Sequence, residues 1–300
     1  MSKYRRITCY RDSQQGRRDE NEDVERIKLN LDWRYTDCSK YDFLALYDGH
    51  GGPKIAQLVD KMIVKKMMMD DPLRTIPYNP QEVQDMYFNI QEFLKKKYTQ
   101  DAEDSGCTSL VLIRYIDTHK RERLRVINVG DCRAVACKSG FAIPLSKDHK
   151  PNWSDEKIRI GNVNANCKKP KEIYMDGDAS DVIWRVGDLS VTRAFGDSTH
   201  APQIVPLPEI HDYSTSGFDF IIMACDGLWD VMTNDEAVNF VRDHLTDNNP
   251  EMHYDEIDHS LVKKILKQKN GHIAKYLTQY AIEKGSNDNV SVIVIVFEDD

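Results

Sequence analysis

The chain contains no apolar run approaching the roughly 18–20 residues that cross a bilayer, so no membrane-spanning helix is expected. Its first residues, Met1 to Gln15, are polar and carry no apolar leader core. Residue 2 is Ser2, not the glycine that N-myristoylation requires. Internal repeats and low-complexity tracts are absent. Positive charge is in deficit: 41 Lys and Arg stand against 49 Asp and Glu, a net charge of −8. That balance argues against a general nucleic-acid or anionic-membrane binder. A cysteine framework is also missing. The seven cysteines (Cys9, Cys38, Cys107, Cys132, Cys137, Cys167 and Cys225) are odd in number and follow no zinc-ligand spacing. Several lie in apolar runs, where a thiol packs as a small hydrophobe. Reduced thiols and a cytoplasmic or nuclear compartment are the expectation.

What is present is a chain of 300 residues, 40% hydrophobic and 30% charged, long enough to bury a full core. Its most informative pattern is a recurring one, in which an apolar strand-like run stops on an aspartate beside a glycine. Phe43 to Tyr47 leads into Asp48-Gly49-His50-Gly51-Gly52, and Leu124 to Val129 into Gly130-Asp131. Phe220 to Cys225 leads into Asp226-Gly227, and near the end Asn287-Asp288-Asn289 opens the run Val290 to Phe297. Strands that end together deliver these acids to one rim, where four carboxylates repel unless cations lie between them. The pattern points to a metal-dependent enzyme.

Local signals predict an edge strand over 4–10, a charged loop over 16–26 and a strand over 41–47. A helix follows from Pro53 to Asp71-Pro72, and a second runs from about Val83 until Ser105-Gly106 breaks it. Short antiparallel strands are expected at 107–116, 123–129, 132–137 and 141–145, with one helical stretch near 154–160. The polar segment 161–183 reads as an irregular exposed insertion, of the kind that is usually functional. A strand at 219–225 precedes a helix near 234–245, capped by Thr233 or Asn234 with Glu236 close by. Helical runs at 260–268 and 272–284 lead to a strand at 290–297, apolar enough for both faces to be buried. Strands and helices come in blocks, which favours an α+β layered sandwich over a doubly wound sheet.

Taken singly, each acidic motif has a plain alternative. Arg18-Asp19-Glu20-Asn21-Glu22-Asp23 reads as a solvated loop, Gly130-Asp131 as a hairpin turn, and Asp226 to Asp230 as a strand-to-helix turn with a core tryptophan. Histidine between glycines at 49–52 is different, because glycine lets the backbone come close to a ligand. Together the stretches are specific. Gly16 to Asp23, Tyr47 to Gly52, Ser105-Gly106-Cys107-Thr108, Gly130-Asp131-Cys132-Arg133, Asp148-His149-Lys150-Pro151, Leu189 to Asp197, Ala224 to Asp230 and Ser286 to Ser291 occur in the order and spread of one family. The chain resembles the metal-dependent protein serine/threonine phosphatases of type 2C.

The resemblance implies a four-layer αββα sandwich, two antiparallel β-sheets flanked by helices, forming one catalytic domain over 1–300 with a variable flap at about 161–183. It implies Mg²⁺- or Mn²⁺-dependent hydrolysis of phosphoserine and phosphothreonine in proteins, by activated water attacking phosphorus directly and without a phosphoenzyme. Asp48 would bridge two cations and the Gly49 carbonyl would complete one site. Asp226 and Asp288 would hold the other, with Glu22 and Asp23 acting through water. Asp131, with Asp226, would support a weaker third ion. Arg18 would grip the phosphate and His50 would protonate the departing oxygen. These oxygen donors suit hard cations, an arginine fork suits phosphate, and histidine is the natural proton donor near pH 7. Phosphoprotein substrates and a monomeric chain complete the expectation, without nucleic-acid or membrane partners. The segment 161–183 matches no pattern of the family, and Lys168, Lys169 and Lys171 there could meet acidic substrate segments or simply be solvated. Two other readings stand beside the enzyme: a pseudophosphatase that binds a partner, and a two-metal phosphodiesterase or nuclease.

Overall fold

A computed structural model describes residues 4–32, 40–68, 78–177, 182–246 and 272–298. The alternation along the strands dictates the architecture. In β3 (Lys40–Tyr47), Phe43, Ala45 and Tyr47 face one side while Leu44 and Leu46 face the other. In β14 (Phe218–Ala224), Phe220, Ile222 and Ala224 face away from Ile221 and Met223. Period-two alternation with both sets apolar means that each sheet is covered on both faces.

One sheet has the order β13 (Glu209–Ser214), β7 (Glu122–Val129), β6 (Ser109–Ile116), β3 and β2 (Val24–Asp32). The other has the order β1 (Arg6–Gln14), β15 (Val290–Glu298), β14, β8 (Arg133–Lys138) and β9 (Phe141–Pro144). All pairings are antiparallel. Leu44, Leu46, Leu110 and Leu112 of the first sheet meet Ile221, Met223, Ile293 and Ile295 of the second in one buried layer. Each such side chain contributes roughly 1.5–3 kcal/mol by leaving water. Helices α1 (Lys54–Met68) and α2 (Pro80–Lys97) cover the outer face of the first sheet through Ile55, Val59, Ile63, Tyr87, Ile90 and Leu94. Helices α6 (Asn234–Thr246) and α7 (Ile273–Glu283) cover the second through Val238, Val241, Ala274 and Leu277. The expected four layers are therefore present, and β15, flanked by two strands, is buried on both faces.

Several local expectations change. Residues 24–26, read as the end of a charged loop, open β2, a strand not expected from the sequence, whose pairing to β3 shifts between Lys28 and Leu31. The strand expected over 4–10 runs instead from Arg6 to Gln14. The second helix ends at Tyr98, whose backbone leaves the helical region (φ −129°, ψ 48°), and α3 (Thr99–Asp104) follows as a separate turn. The segment 161–183 is not irregular throughout: α4 (Ser154–Ala165) runs into it, and β10 (Ile173–Asp176) pairs with β11 (Ile183–Val186) as a hairpin. β13 was not expected. Thr233 does cap α6: its N–H and hydroxyl donate to Glu236 Oε2 at 2.8 and 3.0 Å, and its hydroxyl accepts from Glu236 N at 3.2 Å. The helix end at Asp71-Pro72 and the helical run 260–268 lie outside the described residues.

A three-stranded ribbon, β12 (Phe195–Gly196), β5 (Gly106–Cys107) and β4 (Gly49–His50), continues the chain just beyond Asp48. It carries the segment around His50 to the rim where β3 ends.

Candidate metal centre

Asp48 follows the last residue of β3, Asp131 lies in the β7–β8 turn, and Asp226 opens α5 (Asp226–Trp229) one residue after Cys225. Three strand ends thus converge. Carboxylate oxygens of Asp48, Asp131 and Asp226 all lie within 4.8 Å of one another. A second group within the same limit joins Asp23, Asp48 and the Cys225 thiol. Asp48 is held by a reciprocal pair, its N–H donating to Thr108 Oγ1 at 3.1 Å and its carbonyl accepting from Thr108 N at 2.9 Å.

The loop from Gln15 to Glu22 is pinned to the same rim by Asn289. The Asn289 amide nitrogen donates to Gln15 O and Glu20 O at 2.8 and 2.9 Å, and its oxygen accepts from Glu22 N at 2.9 Å. Gly16 makes the approach possible. Its φ is +62°, and a Cβ there would stand 2.0 Å from Asp288 O. Glu22 Oε1 accepts from Gly52 N at 3.1 Å, which sets it against the Gly49 turn. Asp288 receives Arg18 Nη2 at 2.6 Å and Asn289 N at 2.7 Å. Every acidic residue expected at the site is therefore on this rim, and Arg18 reaches it as the partner of Asp288.

The electrostatics show like charge gathered with only partial compensation, from Lys150 and Arg18. Burial, then Asp226, Asp23, Asp131 and Asp288, push the Asp48 carboxyl well above the carboxylate range. Burial and Asp131 do the same to Asp226, with Lys150 opposing. Burial lifts Asp23 to about 6, with Ser291 and Cys225 opposing and Asp288 and Glu22 adding. Both Asp23 oxygens are buried with no hydrogen-bond partner. The neighbouring polar groups are shared with other partners: the Ser291 and Ser13 hydroxyls meet at 2.7 Å, and the Cys225 thiol donates to Asn289 O at 3.3 Å. Buried polar atoms are ordinarily satisfied, and orphaned carboxylate oxygens call for a cation. The donor set, all carboxylates apart from one thiol at its edge, fits a hard divalent ion.

His50 stands beside this cluster on β4. Its Nε2 meets Asp197 Oδ1 and Oδ2 at 2.9 and 2.8 Å. Burial would lower the imidazole pKa, but the Asp197 charge and hydrogen bond outweigh it, so the net direction is upward. Asp197 adopts the left-handed region (φ 45°) directly after β12, and its N–H donates to Ser105 O at 3.1 Å. Gly106 lies under the pair: a Cβ would fall 2.1 Å from Asp197 Oδ2 and 2.6 Å from His50 Nε2. Nδ1 is thus the ring nitrogen without a protein partner among the described residues.

Four site residues were not singled out as such from the sequence: Asn289, Asp197, Lys150 and Asp230. All four lie inside quoted motifs, so the signal was present, but their roles are contacts that sequence spacing does not reveal. Lys150 pairs with Asp131 and lies 3.9 Å from both Asp226 Oδ2 and Asp230 Oδ1. Burial would lower its pKa, but Asp131, Asp226 and Asp230 hold it well above the usual lysine value.

Comparison with known proteins agrees with this geometry. The family description "Protein phosphatase 2C" matches residues 9–290. A PP2C-like domain-containing protein of Acanthamoeba polyphaga mimivirus is 50% identical over 182 residues, covering 59% of this chain and 96% of the relative. "Probable protein phosphatase 2C 59" of Oryza sativa subsp. japonica is 32% identical over 287 residues, covering 95% of this chain and 74% of the relative. Among solved structures, serine-threonine phosphatase 2C from Toxoplasma gondii superposes with a TM-score of 0.68 at 20% identity, covering 97% of this chain and 95% of the other. A C. elegans sex determining protein gives a TM-score of 0.72 at 22% identity, covering 98% of this chain and 65% of the other. These two likenesses bear on the fold.

Proposed function

Because the chain belongs to the protein phosphatase 2C family and is thereby a metal-dependent protein serine/threonine phosphatase, we propose that its acid rim holds two divalent cations, Mg²⁺ or Mn²⁺, with room for a weaker third. The observation that carries this reading is the set of mutually repelling carboxylates at buried Asp131 and half-buried Asp48 and Asp226, with the orphaned Asp23 oxygens beside them. Asp48, common to both groups, would be shared by the two ions, the Gly49 carbonyl would contribute to one position and Asp226 and Asp288 to the other. Glu22 and Asp23 would act through water, and Asp131 with Asp226 would serve a third ion.

Bound there, the cations would supply an activated water at neutral pH and neutralise phosphate charge. The protein's own groups do the rest. Arg18, 60% exposed, turns a planar fork toward the rim and can share it between Asp288 and a phosphate oxygen. His50, kept cationic by Asp197, presents Nδ1 as the proton donor for the departing serine or threonine oxygen. General-acid help of this kind is worth roughly 10²–10⁴ in rate. The thiols near the rim are poor nucleophiles for a covalent phosphoenzyme, since burial pushes Cys107, Cys132 and Cys225 well above the usual range. Phosphoserine and phosphothreonine proteins are the substrates. The reading takes 1–300 as one catalytic unit with its flap at 161–183, acting as a monomer in the cytoplasm or nucleus.

The test pairs two substrates. His50→Ala should slow a phosphothreonine peptide by roughly 10²–10⁴ and an activated aryl phosphate far less, because only the alkoxide needs its proton. Equal loss on both would remove His50 from that role. Asp226→Ala should abolish turnover on both, and full activity in that variant would overturn the reading.

A further inference from the structure

The two halves of the acid rim differ in one respect. Among the described residues Asp23 has no cationic side chain in contact, whereas the Asp131 side has one built in. The Lys150 ammonium sits against Asp131 and is 3.9 Å from carboxylate oxygens of both Asp226 and Asp230. Asp131 is 1% exposed, and its Oδ2 has no hydrogen bond, the ammonium being its charged contact. Lys150 is carried by the turn before α4, where His149 N donates to Gly130 O at 3.0 Å and Trp153 N to Lys150 O at 3.2 Å. The backbone is thus tied to the same turn that presents Asp131, while the four-carbon stem leaves the ammonium free to move.

We propose that Lys150 is a tethered competitor for the third-ion position: its ammonium and a third divalent cation use the same carboxylates, and one must leave for the other to bind. The proposal rests on the metal reading of the rim given above. Two cations cannot share oxygens at this spacing without strong repulsion. A site open only while Lys150 points away binds its ion with an apparent Kd raised by the inverse of that open fraction. The lysine would then hold the third position in reserve, filled by a monovalent group until divalent metal is abundant. Lysine suits such a task because its compact charge sits on a flexible stem.

Mn²⁺ binding to the full chain, followed by calorimetry and by the electron-spin-resonance signal of free Mn²⁺, tests this without reference to turnover. The native chain should bind two ions tightly and a third weakly. Lys150→Met should leave the two tight ions in place and tighten the third by about tenfold or more, the factor for an open fraction of one in ten. Lys150→Arg, which keeps the charge, should leave the third ion weak. An unchanged or weakened third ion in Lys150→Met would overturn the proposal. Failure of the native chain to bind any Mn²⁺ would instead overturn the metal reading itself. The native chain offers a second measurement that needs no variant: acetylation of Lys150 by an amine reagent, read by mass spectrometry. Its rate should rise as Mn²⁺ fills the third position, and a constant or falling rate would contradict the exchange.

Discussion

One strand, β3, has an aspartate at each end, buried Asp42 near its start and half-buried Asp48 just past its finish, and the two are treated in opposite ways. At its start, Asp42 accepts from Tyr4 Oη at 2.7 Å, Asn30 N at 2.8 Å and Arg114 Nε at 2.7 Å. Arg114 in turn donates to Glu122 Oε1 at 2.7 Å and to Arg5 O at 2.8 Å, and the Arg5 guanidinium donates to Glu122 Oε2 at 3.1 Å, so the group is closed and charge-balanced, two carboxylates against two guanidiniums. Just past its other end, Asp48 meets Asp226, Asp23, Asp131 and Asp288, all of its own sign. The first arrangement is what a buried ionic group needs to be structural. The second is stable only with something added, and that is the mark of a binding site.

The comparison can be broken by matched substitutions. Asp48→Asn should lower phosphate release by roughly a thousandfold, the scale of losing one main electrostatic element of a site. In metal-free protein the same change should stabilise the fold by about 1–2 kcal/mol, because a like charge is removed. Asp42→Ala should do the reverse, costing about 3–5 kcal/mol in urea unfolding by leaving Arg114 short of a partner, while the folded fraction keeps its turnover. If both substitutions destabilise alike, the distinction drawn between the two ends fails.

Metal should act on one end alone. At a hundredfold excess over Kd, Mn²⁺ should add about 2.7 kcal/mol to the native chain, as any ligand bound to the folded state does. Asp48→Asn should gain far less and Asp42→Ala the full amount. A smaller effect appears in the pH profile. Asp23 has a folded pKa of about 6, above its ordinary value, so protonation stabilises the metal-free fold. That contribution is full below about pH 4 and is lost as pH rises through 6. Glu156, held down to about 2 by Arg193 and Arg159 against the burial that would raise it, slopes the other way. Its contribution is present above about pH 4.5 and is lost as pH falls toward 2. Unfolding midpoints of metal-free protein between pH 4 and 7 should therefore fall with rising pH, and Asp23→Asn should flatten that fall.

Much of this was legible beforehand, for a physical reason. Apolar runs ending on an aspartate beside a glycine at 48, 131 and 226 are local signals, and the αββα layering follows from blocks of strands between amphipathic helices. What stayed hidden depends on contacts across the chain. β2 was unreadable because its alternation breaks: Ile27 and Leu29 join the inter-sheet layer while Leu31, beyond the shift in pairing and the left-handed Asn30 (φ 54°), joins the opposite face. β13 is a short, charged edge strand whose place is set by pairing with β7. The β10–β11 hairpin exposes Tyr174, Met175 and Ile183, so its four-residue strands lack the clean in-and-out pattern that marks a buried sheet. Asp197 was quoted within a motif, but nothing in its spacing links it to His50, 147 residues earlier.

The most direct test of the central claim is phosphate release from a phosphothreonine peptide as Mn²⁺ is titrated into metal-free protein. The only partly compensated rim predicts no release in excess EDTA and a rise to saturation with added metal. Release that persists in EDTA, or none at saturating Mn²⁺ from a folded sample, would contradict it.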